Sequence, residues 1–176
     1  MKIRIIPGVN NSDSNHWQSI WEKKYGFQRI NQEEWADPQY SDWSKNLTEA
    51  LEEESDEDNV LVAHSLGCIL VAKTLPIIRK HTKAIFLVAP PDLNKEAFEE
   101  FLGSFKGMQE TNLNIPGILV YSENDPYSTG EFCKALGEKW GLETVSVGRK
   151  GHINSDSNIG EWDEGYALFQ KLLSRV

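Results

Sequence analysis

The sequence predicts a three-layer α/β sandwich built on a mostly parallel six-stranded sheet. Short apolar runs alternate with amphipathic, helix-spaced segments along the chain. Two of the runs, Val60 to Ala63 and Ala84 to Ala89, are continuously apolar, as strands covered on both faces must be. Polar loops rich in Gly, Asn and Asp follow several of these runs. With 176 residues, 39% of them apolar, the chain fills one core, so a single domain over residues 1–176 is expected.

Ile3, Ile5 and Ile6 before Pro7 read as the first strand, and Gly8 to Ser14 is a loop of turn formers. A helix carrying Trp17, Ile20, Trp21 and Lys24 is expected from a cap at Ser14 or Asn15, ending at Gly26. Phe27 to Ile30 is a short strand candidate. From Ser41 or Asp42, the residues Trp43, Leu47, Ala50 and Leu51 mark a second amphipathic helix. Its tail, Glu52 to Asp58, is almost wholly acidic and reads as a solvated face.

The run from Asn59 turns at Ser65 into a helix that is apolar nearly all round as far as Lys73, which implies a central position, with Pro76 kinking or shortening its end. After the strand ending at Ala89, Phe98, Phe101, Leu102 and Phe105 form a helix-spaced stripe. Ile118 to Ser122 is the next strand, and a helix with Ala135, Leu136 and Trp140 stops at Gly141. Glu143 to Val147 is the last strand. A polar loop from Gly148 to Gly160 precedes a closing helix with Tyr166, Phe169 and Leu172.

The formal charge of −9, with an isoelectric point near 5.0, argues against a nucleic-acid partner or an anionic membrane surface. Cys68 and Cys133 make no disulfide framework or metal-ligand spacing and suit a reducing cytoplasm. Met1 to Pro7 falls short of a signal peptide, and no run approaches the roughly 18 apolar residues of a spanning helix. Dinucleotide and P-loop glycine patterns are absent, so no cofactor and no metal is expected.

Ligand sites in parallel sheets lie beyond the carboxyl ends of the strands. Gly8 to Asn11, Ser65, Asp92, Asp125 and His152 all follow predicted strands and should share that edge. A serine on a sharp strand-to-helix turn is pushed out of the sheet edge, and its neighbours at minus two and plus two must be small; Ala63 and Gly67 meet that demand. Ser65 is therefore read as a nucleophile.

A serine hydroxyl needs a base, and the base an orienting acid. His64, adjacent to Ser65 on a sharp turn, points away from it and is expected to pack or hydrogen-bond locally; His81 sits in the polar end of a helix. His16 either starts a helix or lines a pocket. His152, in a flexible loop after the last strand, is the preferred base. Asp125 is the preferred acid and Asp92 its rival, because the order Ser65, Asp125, His152 is that of one hydrolase architecture. The Leu66 N–H at the helix start and the Val9 N–H in the first loop are the expected oxyanion donors. Asn10, His16, Trp17, Phe98 and Phe101 are candidate pocket residues. Cys68, among apolar neighbours, reads as an inert buried thiol.

Ser65-Leu66-Gly67, Ser122-Glu123-Asn124-Asp125-Pro126 and Gly151-His152-Ile153-Asn154 together resemble the α/β-hydrolase superfamily, and more narrowly the small retinoblastoma-binding-protein-type serine hydrolases. The resemblance spans nearly the whole chain. It implies a trimmed hydrolase sheet in the order 2-1-3-4-5-6, with Ser65 as nucleophile, Asp125 as acid and His152 as base. Ala63 departs from the superfamily's usual glycine, and its methyl is expected to tighten the turn. A serine hydrolase acting on a small-molecule acyl substrate (ester, thioester or amide) is the expectation. A protein-binding module on a hydrolase scaffold is the alternative, so a protein partner stays possible.

Overall fold

The computed structural model describes residues 1–53, 58–98, 100–107 and 111–176. Six strands, β1 (Lys2–Ile6), β2 (Gln28–Arg29), β3 (Asn59–His64), β4 (Thr82–Val88), β5 (Gly117–Tyr121) and β6 (Glu143–Ser146), form one sheet in the order β2-β1-β3-β4-β5-β6. Every pairing is parallel. The expected order and hydrolase-type sheet are therefore present.

Among the described residues five α-helices cover the two faces: α1 (Trp17–Tyr25), α2 (Tyr40–Glu52), α3 (Leu66–Ile78), α4 (Gly130–Trp140) and α5 (Asp163–Leu173). The period of two along the strands decides which side chain meets which helix. Leu61 and Ala63 of β3, with Leu87 and Leu119, pack against Trp43 and Leu47 of α2, against α3, and against Trp140 of α4. Their neighbours Val60, Val62, Phe86 and Val120 point the other way, to Trp17 and Trp21 of α1 and Phe169 of α5. β3 is buried at all six positions, which is why it reads as an unbroken apolar run.

Most predicted elements stand within two residues of their expected ends, but two details differ. The cap of α1 is His16, whose Nδ1 accepts from the Gln18 N–H at 3.1 Å, in place of Ser14 or Asn15. Asp13 already accepts from the Asn15 N–H, so the turn before the helix closes first and helical geometry starts later. The stripe from Phe98 to Phe105 is not one helix: two 3-10 turns, Glu96–Phe98 and Gly103–Phe105, replace it among the described residues. Leu102 and Phe105 enter the core while Phe101 stays 40% exposed. Glu54 to Glu57 of the acidic run lie outside the described residues; Glu52 and Asp58 at its ends are exposed and pair with Lys80 and Lys83. As expected, α3 is central, and it gives way to a 3-10 turn, Arg79–His81, soon after Pro76.

Candidate active site

Ser65 sits where β3 ends and α3 begins, with φ 54° and ψ −126°, a backbone conformation that costs a non-glycine residue energy and persists only when the surroundings impose it. Three contacts impose it. The Ser65 N–H donates to the Val88 carbonyl at 2.9 Å, and the Ser65 carbonyl accepts from the Cys68 N–H at 2.9 Å. Gly67 lies so close to the end of β1 that a Cβ there would stand 2.4 Å from the Ile6 carbonyl oxygen. Ala63 fits fully buried within β3, without positive φ, so the departure from glycine leaves the strand regular.

The imidazole of His152 reaches this serine from the loop after β6. Its Nε2 lies 2.9 Å from Ser65 Oγ, and its Nδ1 lies 2.8 Å from Asp125 Oδ2. Asp125 follows β5, and its other oxygen accepts the Tyr127 N–H at 2.9 Å, which fixes the carboxylate plane. The Asp125 side chain is 1% exposed and that of His152 9%, so the pair sits in a low-dielectric setting. Asp92, the rival acid, instead accepts from the Asn94 N–H. The sequence thus brings Ser65, His152 and Asp125 into one hydrogen-bonded chain.

The backbone of the histidine loop is held donor by donor. The Lys150 N–H donates to Ser122 Oγ and the Gly151 N–H to Asn124 Oδ1, both at 2.9 Å, so the turn that supplies the acid also holds the loop that supplies the base. Trp17 Nε1 donates to the Ile153 carbonyl at 2.9 Å. This corrects the expectation for Trp17: it is fully buried behind the site and does not line it, because it shares the sheet-facing side of α1 with Trp21. His64, as expected, bonds locally and away from Ser65, through Nε2 to the His152 carbonyl at 2.9 Å.

A cavity of about 430 Å³ opens at Ser65, bordered by Val9, Asn10, His16, Phe98 and Phe101 among others. Four of the five predicted pocket residues therefore line it, and so do both residues named as oxyanion donors, Val9 and Leu66. Gly8 brings the first loop against the turn: a Cβ there would lie 2.8 Å from Ser65 Cβ and 3.1 Å from the Leu66 nitrogen. Sequence reasoning missed Tyr127, whose ring stands edge-on to His152 with centroids 4.5 Å apart, and the Asn154 to Asp156 wall. Tyr127 was legible only as the neighbour of the Asp125-Pro126 turn.

Burial decides the protonation of the other side chains nearby. It pushes the Cys68 thiol well above its ordinary value and Cys133 up to about 11, so neither is a nucleophile at neutral pH. Burial also pulls His16 down to about 3 and His64 well below the usual histidine range, leaving both neutral. His81 lies at the amino end of β4, the opposite edge of the sheet. Among the described residues no group of three His, Cys, Asp or Glu could hold a metal, and no helix is long and apolar enough to cross a membrane.

A serine hydrolase family model matches residues 3–171. The chain belongs to the serine hydrolase family. This serine hydrolase is 28% identical over 171 residues to YdeN of Bacillus subtilis strain 168, whose own hydrolase name is provisional; the match covers 90% of this chain and 88% of YdeN. A solved YdeN-like protein from Pectobacterium atrosepticum, also provisionally named a hydrolase, superposes with a TM-score of 0.87 at 27% identity, covering 97% of this chain and 89% of that one. The solved B. subtilis ydeN product gives 0.82 at 22% identity, covering 98% of both chains, and supports the fold. These three relatives are YdeN or YdeN-like, and none of them is of the retinoblastoma-binding-protein type.

Proposed function

We propose that this serine hydrolase cleaves a small ester, thioester or amide through an acyl-enzyme on Ser65. The observation that carries the reading is the continuous chain from Ser65 Oγ through His152 to Asp125, at 2.9 and 2.8 Å. His152 Nε2 takes the Ser65 proton as Oγ attacks the acyl carbon, while the Nδ1–H donated to Asp125 holds the tautomer that leaves Nε2 free to accept. The Leu66 and Val9 N–H groups hold the developing oxyanion. His152 then protonates the leaving group, and water, deprotonated by the same nitrogen, releases the acid and restores Ser65. Asn10, His16, Phe98 and Phe101 shape the pocket.

The motif resemblance to the small retinoblastoma-binding-protein-type hydrolases and the likeness to YdeN both support a hydrolase; a single-domain enzyme of the cytoplasm, working on a small acyl compound, is part of the same proposal. Hydrolysis of a generic aryl ester tests the assignment of the acid. Asp125→Asn is expected to lower kcat roughly 10³- to 10⁴-fold by allowing the wrong tautomer of His152. Asp92→Asn is expected to stay within about twofold, since among the described residues its carboxylate bonds only to its own turn. Equal losses in the two variants would overturn the assignment. A folded wild-type protein that hydrolyses no acyl substrate would favour the binding-module alternative.

A further inference from the structure

The cavity at Ser65 has two unlike walls. Pro91, Phe98, Phe101 and Leu102 make one side apolar, whereas Asp13, Asn154, Ser155 and Asp156 make the other polar and acidic. Among the described residues no Lys or Arg lines it, and the whole chain carries −9. Asp13 is fixed in place, accepting from Ser155 Oγ and the Asn15 N–H, both at 2.7 Å. Those bonds hold its carboxyl below the usual range, so it is ionised at neutral pH.

The chemistry tells which half of a substrate meets which wall. The leaving atom must receive its proton from His152 Nε2, so the leaving group lies over His152, and the chain beyond His152 runs directly into Asn154 to Asp156. The acyl group is left with the phenylalanine wall. His16, 4% exposed and also lining the cavity, adds an independent sign. Its Nδ1 accepts from the Gln18 N–H, so the proton of the neutral ring is on Nε2, which finds no partner. A buried, unmatched donor beside the Asp13 carboxylate, in a cavity that Asp156 also lines, suits a ligand that brings an oxygen acceptor together with a positive charge.

Resting on the hydrolase reading above, we propose that the substrate is an ester joining an apolar acyl group to an amino alcohol or its quaternary analogue. The step balances without a further reactant: Ser65 Oγ bonds to the acyl carbon as the bond to the alcohol oxygen breaks, and the serine proton passes through His152 to that oxygen. Water then adds its hydroxyl to the acyl carbon, releasing the carboxylic acid and returning a proton to Ser65. The ammonium faces Asp13 and Asp156, and His16 donates to the oxygen of the leaving group. Anionic leaving groups are repelled.

Three butanoate esters of nearly equal shape test this: those of choline, of 3,3-dimethylbutanol and of isethionate. At low ionic strength kcat/KM is expected to be about tenfold higher for choline than for the neutral isostere, lower still for isethionate, and the spread should shrink with added salt. Asp13→Asn combined with Asp156→Asn should bring the choline-to-neutral ratio close to one. Asp156→Asn alone, at an exposed position, should give an intermediate ratio and serves if the double variant misfolds. Turnover of all three esters without this ranking, or a ratio unmoved by both variants, overturns the charge selectivity alone. No turnover of any of them by folded protein that still takes up a fluorophosphonate at Ser65 overturns this proposal alone; no turnover together with no labelling overturns the hydrolase reading and this proposal with it.

Discussion

His64 Nε2 donates to the carbonyl oxygen of His152 at 2.9 Å, so the residue before the serine holds the backbone of the residue that would activate it. A carbonyl can only accept, which assigns the proton of the neutral His64 ring to Nε2. The two rings also lie 4.8 Å apart between centroids, and Tyr127 stands edge-on to His152 at 4.5 Å.

Replacing His64 by Phe removes that donor while keeping an aromatic ring in the gap. The expected outcome is a kcat for an aryl ester lower by roughly 10- to 100-fold with KM little changed, because a small displacement of the base costs about that much. His64→Asn, whose amide can donate to the same carbonyl, should recover part of the loss. Steady-state kinetics on both variants checks this, with circular dichroism to confirm folding.

The buried histidines give stability a pH dependence whose sign is fixed. Burial is the largest cause of the depression at both, opposed at His16 by Asp13 and at His64 by the bond to the His152 carbonyl. An unfolded chain binds these protons near pH 6.5, whereas folded His16 binds its own only near 3. The contribution of His16 is therefore full above about pH 6.5 and is lost as pH falls from there toward 3, by up to about 1.4 kcal/mol per pH unit, and His64, depressed in the same direction, adds a loss of the same sign. Urea denaturation at pH 7.5, 6 and 5 should show the decline. His16→Asn, which caps α1 without titrating, should reduce its slope by about half.

Gly67 is fixed by contact, since an added Cβ would stand 2.4 Å from one backbone carbonyl oxygen and 2.7 Å from the next, those of Ile6 and Pro7. Gly67→Ala is expected to cost about 3 kcal/mol or more, because β1 and α3 must separate. Gly103→Ala, where a Cβ meets nothing within 4 Å, should lie within about 1 kcal/mol of wild type and serves as the control. Urea midpoints separate the two.

The sheet was legible because its central strands β3, β4 and β5 are buried nearly throughout and so read as short apolar runs bounded by turn formers. Ser65, Asp125 and His152 were legible because each follows its own strand, and parallel strands deliver their ends to one edge. What escaped were features fixed by contacts distant in sequence. Helical spacing puts Trp17 and Trp21 on one face, but only the position of α1 against the sheet decides that this face is core and that His16, one residue back, meets the cavity. The stripe from Phe98 to Phe105 has helical spacing, yet Leu102 and Phe105 turn inward while Phe101 stays 40% exposed at the cavity, an arrangement that two short turns permit. The support that Ser122 and Asn124 give to the histidine loop spans 28 and 27 residues and leaves no local pattern.

The central claim is that Ser65 is the nucleophile, and covalent labelling tests it most directly. A fluorophosphonate probe added to the folded protein should form one adduct, mapped by peptide mass spectrometry to Ser65 and absent from both Ser65→Ala and heat-denatured protein. Labelling that persists in Ser65→Ala, or a folded wild-type protein that takes up no probe, would contradict the account.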